Sequence, residues 1–310
     1  MPDLYLPLLI APLLGLTAIF FAVYLIRDLL KKSKGPAKMV EISEAIRVGA
    51  NTYLALQFFI AALFVAGLAA ILGWILGVAI ALSFTLGAIL SGLSAYVGMR
   101  IAIYMNVRTA NAACCSFNES LSIATKSGTV AGLSLTGLGL LGVGLLYIIV
   151  GDPLLLLGMG FGASLVGLFA RVGGGIYTKA ADIGADLVGK VEESIPEDDP
   201  RNAAVIADQV GDNVGDIAGT GSDVFQSYVM ALVAAMIVGL AVYGISGLLY
   251  PLIVAAVGVV SSLVASFFIS TKKGDAQKAI YRGLYIAVGL VCLITLPLSW
   301  LIFGGLREYL

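Results

Sequence analysis

Apolar residues in this chain run in long unbroken blocks, without the two-residue alternation of a half-buried strand. A helix needs about 20 consecutive apolar residues to cross a bilayer. Eight blocks approach or exceed that length: 4–26, 49–73, 75–99, 128–150, 153–176, 217–244, 249–270 and 281–304. They predict eight transmembrane helices, with those around the fifth and sixth blocks extending well beyond the bilayer core. Short breaks (Gly73-Trp74, Gly151-Asp152-Pro153 and the stretch from Gly244 to Pro251) alternate with the longer charged segments 27–48, 100–127, 171–201 and 271–282.

Composition agrees with the pattern. The 310 residues are 60% hydrophobic and 12% charged, against about 25% charge in a soluble domain. The N-terminal MPDLYLPLLIAPLLG lacks the basic n-region of a cleavable signal peptide and is expected to open the first span. All the Lys and Arg residues except Arg307 lie in the four charged segments. The positive-inside rule then places those segments in the cytoplasm and both termini outside. The expected fold is all-α: a polytopic membrane helix bundle of about eight transmembrane helices. It forms one membrane domain, 1–310, with outer helices in 1–150, a site-bearing helix pair in 151–245 and two outer helices in 246–310.

Several chemistries drop out. There is no histidine, which excludes zinc–histidine sites and histidine acid–base catalysis. Cys114, Cys115 and Cys292 show neither zinc-type spacing nor a disulfide framework and read as reduced packing residues. A net charge of −1 gives no reason to expect a nucleic-acid partner.

The acidic residues are unevenly placed. Of the 19, 11 lie between Asp182 and Asp223, where the only basic residues are Lys190 and Arg201. Glu192, Glu193, Asp198 and Asp199 read as a solvated loop. The others have helical spacing. At about 100° per residue, Asp208, Asp212, Asp216 and Asp223 fall within about 80° of one another. Like charges four apart destabilise an isolated helix, so such a stripe calls for cations. Gly211, Gly215 and Gly219 form a neighbouring stripe that lets another helix approach closely. In RVGGGIYTKAADIGADLVGK, residues Arg171, Lys179, Asp182, Asp186 and Lys190 share about 100° of arc. Either they pair with one another, or carboxylates hold metal while Lys and Arg hold an anion's oxygens.

Oxygen-only donors without His or Cys suit Mg²⁺, which keeps waters and usually bridges to phosphate. GGGIYTK lacks the spacing of a nucleotide-binding P-loop. A small Mg-complexed anion such as pyrophosphate fits better, and hydrolysis would follow the logic of metal-assisted phosphoryl transfer. Two alternatives stay open: a non-catalytic membrane protein that binds Mg²⁺ or Mg-pyrophosphate, and a divalent-cation transporter using the Asp stripe, against which Arg171, Lys179 and Lys190 argue.

The run RVGGGIYTKAADIGADLVGKVEESIPEDDPRNAAVIADQVGDNVGDIAGTGSD (171–223), with MNVRTANAA (105–113), resembles the membrane-integral pyrophosphatases, which couple pyrophosphate hydrolysis to H⁺ or Na⁺ pumping. The resemblance implies that Asp182, Asp186, Asp208 and Asp212 bind Mg²⁺ and that Lys179, Lys190 and Glu197 contact pyrophosphate. It also implies that Asp216 polarises the attacking water, with Asp212, Lys179 and Lys190 completing the catalytic set. Arg171, Asp223 and Gln226 would lie on the ion path. It implies an integral protein of the cell membrane with its site facing the cytoplasm, acting as a homo-oligomer or with a complementing C-terminal half. The chain departs from the family pattern by carrying about half of its spans, without the second-half site residues. Neutral Gln226 and Met230 stand where the family's gating Glu is expected, and Tyr53–Gln57, Ala203 and Gln209 replace the usual basic, Pro and Asn residues. K⁺ dependence has no determinant here.

Overall fold

The computed structural model describes residues 2–196, 198–199, 201–270 and 274–304. Among them there is no strand, and the chain is an all-α polytopic membrane protein. Its helices are α1 (Pro2–Leu30), α2 (Ala37–Ile75), α3 (Val78–Ala113), α4 (Phe117–Val150), α5 (Leu157–Leu168), α6 (Gly174–Asp186), α7 (Ala204–Gly211), α8 (Thr220–Ser266) and α9 (Ala276–Phe303). Three π-helical segments, Phe169–Gly173, Leu187–Glu192 and Asp212–Gly219, join α5 to α6, extend α6 and join α7 to α8.

Seven continuous helical stretches among the described residues are long and apolar enough to cross a membrane. One of them, Ala204–Ser266, contains two of the expected spans. Gly244 adopts φ 61° and ψ −143° inside α8, a left-handed conformation that glycine reaches without steric cost. There the helix folds back, so that the backbones of Gly239 and Gly247 touch. In a straight helix those residues would stand about 12 Å apart.

The helices outrun the apolar blocks. The charged segments 27–48 and 100–127 are mostly helical, and short links at 31–36 and 114–116 join the helices. Local chemistry explains one of these starts. Ser116 Oγ accepts from the Glu119 backbone N–H at 3.3 Å, which begins α4 with the Ser-x-x-Glu signature of a helix N-terminus. α4 is more enclosed than the site-bearing helices, although the sequence places it among the outer ones. It packs on α1, α3 and α8, and its Gly137 meets Gly15 of α1 so closely that a Cβ there would lie 2.8 Å from the Gly15 carbonyl oxygen. α2 and α9 are the least enclosed helices.

A buried arginine ties α1 to α3. Arg108, 4% exposed, donates to the carbonyls of Leu30 at 3.2 Å, Lys32 at 3.0 Å and Tyr104 at 2.6 Å. It thereby satisfies carbonyls that the end of α1 leaves without intrahelical partners.

Candidate functional site

The site is built on the α6–α7 pair. Their contact depends on missing side chains. A Cβ on Gly211 would lie 2.7 Å from Thr178 Cα, and one on Gly215 would lie 2.6 Å from Thr178 Oγ1. Gly219 meets the backbone of Arg171 in the same way. The glycine stripe is thus the packing face expected of it.

This close approach leaves a polar cavity of about 170 Å³ lined by Asp182, Asp186, Lys190, Asp198, Asn202, Asp208, Gln209 and Asp212, among others. Five of the proposed site residues, Asp182, Asp186, Lys190, Asp208 and Asp212, therefore share one wall-to-wall space. Lys190 Nζ lies 3.0 Å from Asp186, and Lys179 Nζ lies 3.4 Å from Asp182. The pairing alternative is thus realised in part. Exposed pairs of this kind contribute at most about 1 kcal/mol, which leaves their Coulomb field available to a ligand.

Lys179 reaches the site only through Asp182; its own side chain is 75% exposed. Asp216 is exposed and absent from the cavity wall. The ladder bends because Asp212–Gly219 is π-helical. A π-helix closes i→i+5 hydrogen bonds, so residues four apart no longer stack as they do on an α-helix. Asp216 still acts on Asp212 as a like charge, as does Asp182, while Lys179 opposes them. Arg171 and Asp223 are joined across the helix pair at 2.6 Å, further along α8's approach. Gln226 follows within α8, half-buried, and Met230 fills the space that Gly160 leaves on α5. Glu197 lies outside the described residues.

Three wall residues were not singled out as ligands from sequence. Asp198, with φ 56°, lines the cavity, whereas its neighbour Asp199 turns to Arg201 at 2.7 Å. That salt bridge and the Arg201 backbone N–H hold the Asp199 carboxyl down at about 2. Nothing in the composition of PEDDP separates these two aspartates. Asn202 donates to the Ala185 carbonyl at 2.8 Å and accepts from the Ala204 N–H at 3.0 Å, which pins the connection onto α6. Gln209 lies on the ladder beside Asp208. In addition, Asn106 of MNVRTANAA donates to Asn213 at 3.3 Å, which links that segment to the site from α3.

Among the described residues the cavity wall carries five carboxylates against one ammonium. Alone it would repel an anion. Among the described residues no three carboxylates converge closely enough to enclose a bare metal ion. Spaced carboxylates match an ion that keeps its waters and shares its charge with a phosphate, so this donor set fits hydrated Mg²⁺ held together with an oxyanion.

The described residues thus define a polytopic membrane helix bundle with a carboxylate-walled polar cavity beside a glycine-faced helix contact. The model of the inorganic H⁺ pyrophosphatase family matches residues 16–308, and the chain belongs to that family. It is 46% identical over 278 residues to a K⁺-insensitive pyrophosphate-energized proton pump of Methanosarcina mazei, covering 88% of this chain and 41% of that protein. It is 44% identical over 313 residues to K⁺-insensitive pyrophosphate-energized proton pump 2 of Moorella thermoacetica, covering 96% and 45%. It is 45% identical over 300 residues to a putative K⁺-stimulated pyrophosphate-energized sodium pump of Clostridium tetani, again 96% and 45%. The chain thus spans less than half the length of these relatives.

Proposed function

We propose that the α6–α7 cavity binds pyrophosphate together with Mg²⁺ at the cytoplasmic end of the bundle, as part of the site of a pyrophosphate-energized H⁺ or Na⁺ pump. The observation that carries this reading is the excess of carboxylates over ammonium on a wall that also presents Lys190. Asp182, Asp186, Asp208 and Asp212 would hold Mg²⁺, which neutralises phosphate oxygens when bound. Lys190, with Lys179 at the rim, holds pyrophosphate oxygens as a point charge, and Glu197 belongs to the same set by family resemblance. Asp216, on the open side of π-helical 212–219, orients the attacking water together with a second carboxylate, contributed by a complementing C-terminal half or by a partner in a homo-oligomer. The ion path continues through Arg171, Asp223 and Gln226.

A second reading, binding without turnover, draws on neutral Gln226 and Met230 at the two positions where the family's gating Glu is expected. The two are separated by phosphate release from Mg-pyrophosphate by the purified chain in lipid, with Asp212→Asn as the blank, before and after addition of a matching C-terminal half. Release that appears only with the added half supports the pump reading. Binding without release under both conditions supports the second.

A further inference from the structure

Away from this site, α2 and α3 border a groove of about 580 Å³. Its floor is Ala61, Ala88 and Val166, all buried, and its rim includes Ile89, 60% exposed, and Leu93, 42% exposed. Along α3 it runs from Thr85 to Tyr96, about 16 Å at 1.5 Å per residue. That is roughly one leaflet of a hydrocarbon core about 30 Å thick. A spanning helix would need a groove about twice as long.

The groove ends at Tyr96, and there the chemistry changes. The Arg100 guanidinium sits 5.7 Å from the Tyr96 ring centroid and 5.0 Å from that of Tyr104. It donates to Asn51 Oδ1 at 3.1 Å and to the Tyr104 hydroxyl at 2.9 Å. Arg47 donates to the same hydroxyl at 3.5 Å and pairs with Glu44. Among the described residues no carboxylate pairs with Arg100. Two guanidinium groups thus stand at the top of an apolar slot, and only Arg47 has a carboxylate partner among the described residues. A guanidinium has five N–H donors, and Arg100 uses two of them on neutral oxygens. Near hydrocarbon, an unpaired cation is costly and favours an anionic partner.

We propose that the groove and Arg100 form a binding site for an anionic phospholipid. One acyl chain lies along α2 and α3 from Tyr96 to Thr85, and the headgroup phosphate accepts from Arg100, with Arg47 alongside. The charge, the leaflet-length slot and their junction at Tyr96 all select a lipid over a helix. The site is independent of the pyrophosphate reading.

The test is native mass spectrometry and thermal unfolding of the purified chain in nanodiscs of dioleoylphosphatidylglycerol or dioleoylphosphatidylcholine. The wild type is expected to retain phosphatidylglycerol and to unfold at a higher temperature in it. Arg100→Gln should weaken retention about tenfold, on the order of one lost charge-assisted hydrogen bond. Ala62→Phe, which fills the groove from the exposed face of α2, should weaken it as much while leaving both arginines in place. Unfolding in phosphatidylcholine shows whether each variant is folded, and Ala62→Phe decides the matter if Arg100→Gln is not. Equal retention by the wild type and Ala62→Phe would overturn the proposal. So would equal protection by inorganic phosphate alone, or a disulfide-linked homodimer formed efficiently through Ala66→Cys in a chain whose exposed Cys114, Cys115 and Cys292 are changed to Ser.

Discussion

At the scale of single residues, neighbouring carboxylates in this chain do different work. Asp198 faces the cavity, while Asp199 is held by Arg201. The folded Asp199 carboxyl titrates at about 2, below its ordinary value of 3.8. A depressed carboxylate contributes stability above its unfolded pKa and loses it as pH falls through the folded one. The Asp199–Arg201 clamp should therefore hold at pH 5 and open between about pH 4 and 2. Proteolytic nicking of the α6–α7 connection should rise across that interval, and Asp199→Asn should show the raised rate at pH 7. Lys190 and Glu119 make a second contrast. Lys190→Gln should weaken Mg-dependent pyrophosphate binding about tenfold or more, since it removes the only cation on the cavity wall among the described residues. Glu119→Gln breaks an exposed pair with Lys32 and should leave binding within a factor of two, about 0.4 kcal/mol. Titration calorimetry of both variants in lipid nanodiscs measures the difference.

At the scale of elements, spacing in the sequence carried the helices and the glycine face but missed the π-helical segments. Apolar block length and turn chemistry locate the spans, including the reversal at Gly244, because a bilayer sets the length. Helix ends were not legible, since charged turns such as Glu44–Arg47 continue a helix beyond the apolar core. The Asp-x-x-Gly repeat read as one straight stripe from Asp208 to Asp223. The structure keeps Asp208 and Asp212 on the cavity and turns Asp216 outward, because residues 212–219 close i→i+5 bonds. No feature of DNVGDIAG announces that change; the segment packs against α3, α6 and Phe169–Gly173 together. Gly215→Ala tests this packing. Its Cβ would press on Thr178 Oγ1 at 2.6 Å and on the Gly174 carbonyl at 2.9 Å, so a loss of about 1–3 kcal/mol is expected. Gly128→Ala meets open space in α4 and should be neutral or stabilise by up to about 1 kcal/mol. Thermal unfolding in lipid should place the two variants on opposite sides of the wild type. Arg108→Ala should lower stability by about 1–3 kcal/mol, because it takes the buried guanidinium's hydrogen bonds from three partly buried carbonyls.

At the scale of the whole molecule, charge and hydrophobicity divide the labour. The acidic excess gathers at one helix pair, the remaining helices supply a membrane frame, and α4 anchors that frame. Membrane placement was readable from the blocks alone. The cavity was readable in part: helical spacing brought out Asp182, Asp186, Asp208 and Asp212. Asp198 and Asn202 enter only because the connection folds back onto α6, a tertiary event with no local periodicity. Lys179 and Asp216 both face away from the cavity wall, so binding and turnover call for separate tests. The most direct measurement is therefore calorimetric titration of pyrophosphate into the chain in nanodiscs, with and without Mg²⁺, for the wild type and Asp212→Asn. If Mg²⁺ bridges the carboxylates to the anion, the wild type binds saturably only when Mg²⁺ is present, and Asp212→Asn does not bind at the same concentrations. Binding that is unchanged by Mg²⁺ or by the loss of the Asp212 charge would contradict it.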